Sequence, residues 1–111
     1  MRRSRGDIWF VDLTDARGHE QSGLRPAVVL AVSYGGMTIV VPLTTTPTAF
    51  SFPHTYGIEK SSQNGLSSNS AALVFQIVAL SEDRFVKKIG RCSTEDMEAI
   101  SALLKDLLLP E

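Results

Sequence analysis

Short apolar runs separated by polar stretches make up the first part of the chain, and this pattern predicts strands. Ile8–Leu13 is rich in aromatic and β-branched residues, and Ala27–Val32 is a continuous apolar run, short enough for a strand buried on both faces. Tyr34–Gly36 is a turn signal and predicts a hairpin into a third strand, Thr38–Leu43. Because proline cannot donate a ladder hydrogen bond, Pro42 indicates that the third strand ends there or lies at an edge of the sheet.

The middle of the chain has a different composition. Residues 44–70 are rich in Thr, Ser, Pro, Gly and Asn, and they are too many for a structureless connection in a compact domain. We therefore expect a short strand within Ser51–Ile58 and a mobile loop over the rest. Ala71–Leu80 then predicts a core strand, and Arg84–Gly90 predicts a more exposed strand.

The end of the chain has the periodicity of a helix. Ser93 followed by Asp96 resembles a helix N-cap. The apolar residues follow i, i+3, i+4 spacing, which is typical of one helix face; they are Met97, Ile100, Leu103, Leu104, Leu107 and Leu108. Together the elements predict a single domain over residues 1–111, mainly β with a C-terminal helix, in which the helix covers a small barrel-like sheet.

Composition says more about the expected cellular compartment than about the function. The 111 residues carry a net charge of −1, so overall charge does not mark a nucleic-acid-binding protein, although a local basic patch would be enough for one. A single cysteine, Cys92, fits a reducing compartment. The N-terminus lacks the apolar segment of a secretory signal, and no apolar run approaches the roughly 20 residues of a transmembrane helix. A soluble cytoplasmic protein without membrane contact is expected.

Polar chemistry is concentrated in Arg17–Pro26, between two predicted strands. This stretch holds His19, Glu20 and Arg25, and Thr44 follows the third strand. If the second and third strands pair, Arg25 and Thr44 project from the same end of the sheet, where a guanidinium beside hydroxyl groups would bind an anion. On the residues alone, an ordinary solvated loop remains the alternative. The two histidines are far apart and the lone cysteine has no partner at ligand spacing, so no metal site is predicted.

Six motifs follow one another from about residue 5 to about residue 108: RGDIWFVDL, RGHEQSGLRPAVVLAV, VVPLTTT, SAALVFQIVAL, DRF and IG. In this order and spacing they resemble the MazF/PemK toxins of type II toxin–antitoxin modules. The resemblance implies an SH3-like small β-barrel, a homodimer, and metal-independent, sequence-specific cleavage of single-stranded RNA without a cofactor. It also implies a cognate MazE-like antitoxin whose flexible C-terminal segment blocks the active site.

The resemblance also assigns expected roles to single residues. Arg25 matches the family's catalytic arginine, Thr44 matches a threonine that contacts the scissile phosphate, and His19 with Glu20 matches a pair with an auxiliary catalytic role. Many relatives carry Asp-Gln where this chain has Phe75 and Gln76. Because a phenylalanine cannot accept a proton, either His19 or Glu20 is the expected base, or the reaction depends on orientation and electrostatics without a base at this position. The residues expected to bind substrate are Gln21, Thr45, Thr46 and Gln76.

The expected reaction is attack of the RNA 2′-hydroxyl on the adjacent phosphate, which leaves a 2′,3′-cyclic phosphate and a 5′-hydroxyl end. Arg25 would stabilise the developing charge, because a guanidinium holds its proton too tightly to be a good general acid. Two alternatives share the same barrel. One is a non-catalytic toxin resembling the gyrase poisons, which this chain's Leu-Leu-Leu-Pro-Glu ending disfavours. The other is a module that only binds RNA or antitoxin.

Overall fold

Antiparallel strands followed by one helix form the described part of the chain. The computed structural model describes residues 2–14, 17–20 and 22–110. The sheet order is β4-β5-β3-β2-β1-β7, and β6 also pairs with β3. The elements are β1 (Asp7–Asp12), β2 (Leu24–Val32), β3 (Thr38–Thr44), β4 (Thr55–Ile58), β5 (Ser70–Leu73), β6 (Val78–Leu80), β7 (Phe85–Arg91) and α1 (Thr94–Leu108). The prediction of a mainly β protein with a C-terminal helix is confirmed.

Both faces of the central strands are buried, because alternate residues enter two separate apolar clusters. Ile8 and Val28 belong to a cluster that includes Ile100 of α1. Their neighbours in sequence, Trp9 and Val29, belong to a second cluster without a helix residue. The continuous apolar run in β2 is therefore explained, and the prediction of a strand buried on both faces is confirmed for the middle of β2.

β3 is an interior strand, so the prediction that Pro42 marks its end or a sheet edge is wrong. β2 flanks β3 on one side, and β5 and β6 flank it on the other. β6 pairs with residues 38–40 of β3, and β5 pairs with residues 43 and 44. Pro42 therefore lies opposite the interruption between β5 and β6, where the ladder on that side is already broken and a proline is tolerated.

Ala71–Leu80 was expected to be one strand but forms two. β5 and β6 are separated by a single 3₁₀ turn, Val74–Gln76, which shifts the pairing with β3 by three residues. Val74 in this turn is fully buried, whereas Phe75 is exposed. An apolar run looks the same in a strand and in a buried turn, so hydrophobicity alone could not reveal the interruption.

The long polar stretch is organised by one buried amide rather than being a mobile loop. Asn64 is buried, and its Oδ1 accepts hydrogen bonds from the N–H groups of Ser61 (2.9 Å) and Leu66 (3.0 Å). Its Nδ2 donates to the Glu59 carbonyl at 2.8 Å. These bonds fold the part of the stretch after β4 on itself, and the Gln63 carbonyl accepts the Arg91 N–H of β7 at 3.0 Å, which holds it against the sheet. The expected strand within 51–58 is present as β4 alone.

α1 begins where the sequence predicts and packs through its predicted face. The Ser93 hydroxyl accepts a hydrogen bond from the Asp96 N–H at 3.0 Å, which confirms the N-cap. Tyr56 of β4 donates to the Asp96 carboxylate at 2.8 Å, and this bond together with burial raises the pKa of Tyr56 to about 12. Ile100 is fully buried but Leu108 is 57% exposed, so the apolar face ends before the helix does. No helix in the described ranges is long and apolar enough to cross a membrane.

Replacement of Gly65 tests how closely the loop after β4 lies against β7. A Cβ at Gly65 would lie 2.7 Å from the Ile89 carbonyl carbon and closer still to its oxygen, whereas a Cβ at Gly35 meets nothing within 4 Å. Both glycines have positive φ, at +71° and +68°, so both alanine variants carry a similar strain of about 1–2 kcal/mol.

We expect Gly65→Ala to lower the free energy of unfolding by a further 1–3 kcal/mol or so relative to Gly35→Ala, because the backbone of β7 must move. Urea denaturation of both variants measures the difference. Equal losses in the two variants would show that the loop does not rest on β7.

Candidate active site

Arg25 lies within β2 rather than in the preceding loop, because β2 begins at Leu24. In the pairing of β2 with β3, Ala27 lies opposite Pro42. Continuing this antiparallel register by two residues sets Arg25 opposite Thr44. The Arg25 Nε donates to the Ser22 carbonyl at 3.0 Å, which orients the guanidinium. Arg25 and Thr44 also line the same groove, which confirms the prediction that they project from the same end of the sheet.

A groove of about 400 Å³ opens beside these two residues, and we call it the arginine groove. Two cations, Arg25 and Lys87, line it, and the described lining residues include no carboxylate. Its hydroxyl groups come from Thr44, Thr45 and the serines of the loop before β5. Cations and hydroxyl donors without a competing carboxylate are the groups that hold a phosphate.

The basic residues in and just before β7 have different partners. Lys88 and Arg91 both pair with the buried carboxylate of Asp7, Lys88 at 3.5 Å. The Arg84 guanidinium donates to the Asp12 carbonyl at 3.3 Å. Of these basic residues, Lys87 is the one that lines the arginine groove.

A second groove, of about 570 Å³, lies on the other side of Thr44, and we call it the aromatic groove. Its described lining is largely apolar and includes Phe52, Leu73 and Phe75. Thr44 lines both grooves although it is buried. Its hydroxyl donates to the Thr46 hydroxyl at 3.1 Å and accepts the Thr46 N–H at 3.2 Å, which fixes the side chain between the grooves.

The two expected bases lie in different surroundings. His19 lines the aromatic groove, and its carbonyl accepts a hydrogen bond from Gln76 Nε2 at 3.0 Å. The Glu20 carboxylate accepts the Arg17 N–H at 2.7 Å and so closes the turn over residues 17–20. In the described part of the chain, Glu20 is not among the lining residues of either groove. The structure therefore brings His19, but not Glu20, to the groove wall that includes Thr44.

The residues expected to bind substrate divide between the two grooves. Thr45 lines the arginine groove, whereas Thr46 and Gln76 line the aromatic groove. Gln21 lies outside the described residues. The site is therefore two adjoining grooves that meet at Thr44.

Sequence reasoning missed two residues of the aromatic groove, Phe52 and His54. His54 is the one non-glycine residue with positive φ (57°) in the described ranges, and its Nε2 lies 2.9 Å from an Asp106 carboxylate oxygen of α1. Its carbonyl accepts the Val74 N–H at 3.1 Å. These contacts join three segments that are distant in sequence, so no local sequence pattern could have predicted them. Backbone strain of this kind is often found at functional sites.

The cysteine and the possible metal ligands provide no further reactive site in the described residues. Burial raises the pKa of the Cys92 thiol to about 12, so Cys92 is a packing residue rather than a nucleophile. Over residues 2–14, 17–20 and 22–110, no three His, Cys, Asp or Glu side chains come together as a metal site would require.

Comparisons with known proteins agree on one family. A model of the PemK-like, MazF-like toxin of type II toxin–antitoxin systems matches residues 4–108. Endoribonuclease MazF9 of Mycobacterium tuberculosis is 34% identical over 110 residues, which cover 91% of this chain and 92% of that protein. Endoribonuclease MazF of Staphylococcus saprophyticus is 31% identical over 101 residues, which cover 87% of this chain and 83% of that protein.

Solved structures show the same fold. MazF from Deinococcus radiodurans has a TM-score of 0.77 at 22% identity, with 96% of each chain covered. A mycobacterial endoribonuclease in complex with its cognate antitoxin has a TM-score of 0.74 at 22% identity, with 99% of each chain covered. The expected small β-barrel-like fold is therefore confirmed.

Replacement of Gln76 tests the bond that ties the polar loop to the aromatic groove. A neutral hydrogen bond contributes about 0.5–1.5 kcal/mol to stability. Gln76→Ala should therefore raise, roughly 2- to 13-fold, the fraction of molecules in which the loop between β1 and β2 has detached from the aromatic groove. Limited digestion with trypsin reports this as faster cleavage after the exposed Arg17. Gln63→Ala, in the loop after β4, is the control and should leave this rate unchanged. An unchanged rate in Gln76→Ala would show that this bond does not hold the loop.

Proposed function

Since the chain belongs to the PemK-like, MazF-like toxin family of type II toxin–antitoxin systems and is a toxin endoribonuclease of such a system, we propose that it cleaves single-stranded RNA without a metal ion and at preferred sequences. The observation that carries this proposal is the arginine groove, where Arg25 and Lys87 offer positive charge beside the hydroxyls at the end of β3. RNA provides its own nucleophile, the 2′-hydroxyl, so the protein has to hold one phosphate and assist proton transfer.

Arg25 is proposed as the residue that stabilises the negative charge of the transition state. A preorganised cation at the phosphate lowers the barrier by several kcal/mol, about 3–4 for a single good donor. Support comes from the position of Arg25 in a strand paired on both sides and from its bond to the Ser22 carbonyl. A group fixed in this way needs little reorganisation when charge develops.

Thr44 is proposed to orient the scissile phosphate. Its side chain lies at the boundary of the two grooves, and the bonds with Thr46 restrict its rotation. A phosphate held beside Arg25 would then have its neighbouring nucleotide in the aromatic groove. Thr45, Thr46 and Gln76 are proposed to contact that part of the RNA.

His19 is proposed as the base that removes the 2′-hydroxyl proton, because an imidazole can accept a proton near neutral pH and because His19 lines the groove adjoining Thr44. The oxygen then forms a bond to phosphorus, the bond to the 5′-oxygen breaks, and the leaving oxygen takes a proton from water. Glu20 is proposed as a positioning residue, since its carboxylate is bonded to the backbone of the turn that carries His19.

Two protein partners are proposed. One is a MazE-like antitoxin whose C-terminal segment covers the grooves, supported by the likeness to an endoribonuclease solved with its cognate antitoxin. The other is a second copy of the chain. Val32, Tyr34 and Met37 are large apolar residues of one hairpin turn that remain exposed, Tyr34 at 95%, and such a patch favours association. An RNA substrate and one buried thiol both fit a cytoplasmic location.

Incubation of the purified protein with a defined single-stranded RNA tests the reaction type. We expect cleavage in the presence of EDTA, with products that carry a 2′,3′-cyclic phosphate and a 5′-hydroxyl end. A cyclic-phosphate-dependent ligation assay and kinase labelling of the new 5′ ends identify both termini. Loss of cleavage on addition of EDTA, or 5′-phosphate products, would contradict the proposed mechanism, and binding without cleavage would favour the binding-module alternative.

Substitution of Arg25 tests the assigned charge stabiliser. Arg25→Ala should lower kcat by about 100- to 1,000-fold, the loss typical of one preorganised donor, because the transition-state charge loses its cation. Arg25→Lys should retain part of the rate, since it keeps the charge but not the two-pronged geometry.

Arg17→Ala is the matched control, because Arg17 is an exposed arginine of the same polar stretch outside both groove linings. Its kcat should equal that of the unmodified protein, and circular dichroism should show all three variants folded. Wild-type cleavage by Arg25→Ala would rule out this role.

A further inference from the structure

Two phenylalanine rings stand at the surface of the aromatic groove. Phe52 and Phe75 are 46% and 40% exposed, and their ring centroids are 6.3 Å apart in an edge-to-face arrangement. Apolar rings of this size are usually buried, and a cluster of them in a groove marks a binding surface. The two rings come from segments far apart in sequence and meet only through the fold.

The backbone of the 3₁₀ turn keeps the Phe75 side chain exposed. Its neighbour Val74 is fully buried in the same 3₁₀ turn, and the turn is fixed by β5 on one side and β6 on the other, both paired with β3. The N–H of Val74 also donates to the His54 carbonyl at 3.1 Å, which ties the turn to the segment that follows Phe52. The ring is thus presented on a rigid support, which lowers the entropy lost on binding.

The aromatic groove adjoins the proposed phosphate site. Thr44 lines both grooves, so a phosphate beside Arg25 and a group resting on Phe75 would be neighbours across one buried side chain. A nucleotide likewise joins an anion to a flat aromatic base. The apolar rings are accompanied by polar side chains in the lining, among them Thr48 and His19, which suit a flat ring with polar edges.

Positive charge in one groove and exposed rings in the other together favour a nucleic acid over an apolar chain end as the occupant. Arg25 and Lys87 line the arginine groove, and the described lining of either groove contains no carboxylate. Asp106, whose carboxylate contacts the groove residue His54, is paired with it at 2.9 Å. A polyanion that carries aromatic bases matches both grooves at once.

We propose that Phe75, supported edge-on by Phe52, is a stacking site for one unpaired nucleobase of the RNA, adjacent to the scissile phosphate. This inference rests on the proposed RNA cleavage and assigns it a binding residue where many relatives have a carboxylate. Phe75 contributes to affinity and to the choice of cleavage position, and it takes no part in proton transfer.

A noncleavable RNA tests the stacking site by direct binding. The RNA spans a mapped cleavage position, carries a 2′-deoxy nucleotide there so that no nucleophile is present, and is prepared with a single abasic residue at each position in turn. Stacking on an aromatic side chain contributes about 1–3 kcal/mol per base, so Phe75→Ala should weaken binding of the unmodified RNA roughly 5- to 150-fold. Phe75→Tyr should retain near wild-type affinity because the ring remains.

The decisive measurement is the coupling between the ring and one base. At one position beside the scissile phosphate, the abasic residue should weaken binding to the wild-type protein but should have no further effect in Phe75→Ala, because the contact is already absent. In cleavage assays Phe75→Ala should raise KM with little change in kcat. Phe50→Ala is the matched control, since Phe50 is 43% exposed but lies outside the described groove lining, and it should bind RNA normally.

Different results would overturn the stacking site and the proposed function. If the wild-type protein cleaves RNA and Phe75→Ala binds as tightly, or if no abasic position couples to Phe75, the stacking site is wrong while the proposed function stands. If Phe75→Ala weakens only the binding of an antitoxin C-terminal peptide, the groove belongs to the antitoxin and the inference is again overturned. If the wild-type protein neither binds nor cleaves RNA, the proposed function itself fails.

Discussion

The pairing of β2 with β3 is the constraint on which the rest of the structure depends. Because the two strands are antiparallel with Ala27 opposite Pro42, the start of β2 and the end of β3 meet at one end of the sheet. That register brings a guanidinium and a row of threonines together. The same strands send alternate side chains into two apolar clusters, so a shift by one residue would expose both cores and separate Arg25 from Thr44. Stability and site geometry are fixed by the same hydrogen bonds.

The break in strand pairing between β5 and β6, opposite Pro42, also shapes the candidate site. A continuous strand over residues 71–80 would point successive side chains to alternate faces and would bury half of them. The 3₁₀ turn instead buries Val74 and turns Phe75 and Gln76 toward the groove. Gln76 then reaches the His19 carbonyl, which connects this turn to the polar loop between β1 and β2. One local break in pairing thus creates the aromatic groove and anchors the loop beside it.

The sequence predicted what depends on local pattern and missed what depends on distant contacts. Apolar runs rich in β-branched residues and the period-3.6 spacing at the end of the chain located most of the strands and the capped helix. The meeting of Arg25 and Thr44 at one end of the sheet followed from a simple hairpin. The loop after β4 looked mobile because its composition is polar, yet the buried amide of Asn64 organises it. Glu20 was expected to be one of two candidate bases through the family resemblance, and the structure places its carboxylate in a turn outside the described lining of both grooves. Phe52 and His54 carry no motif, since only the tertiary fold brings them beside Phe75.

A phenylalanine rather than a carboxylate at position 75 changes what the aromatic groove can do chemically. A carboxylate at this position would face an incoming polyanion, and its repulsion would have to be offset by nearby cations. A phenylalanine removes that repulsion and adds a surface for a base, but it cannot accept a proton. The proton must then be accepted by another group. His19, the base proposed above, is held beside this turn by the bond from Gln76, the residue next to Phe75. In the proposed mechanism the 3₁₀ turn therefore presents the stacking ring and also orients the loop that carries the base, which links binding to proton transfer.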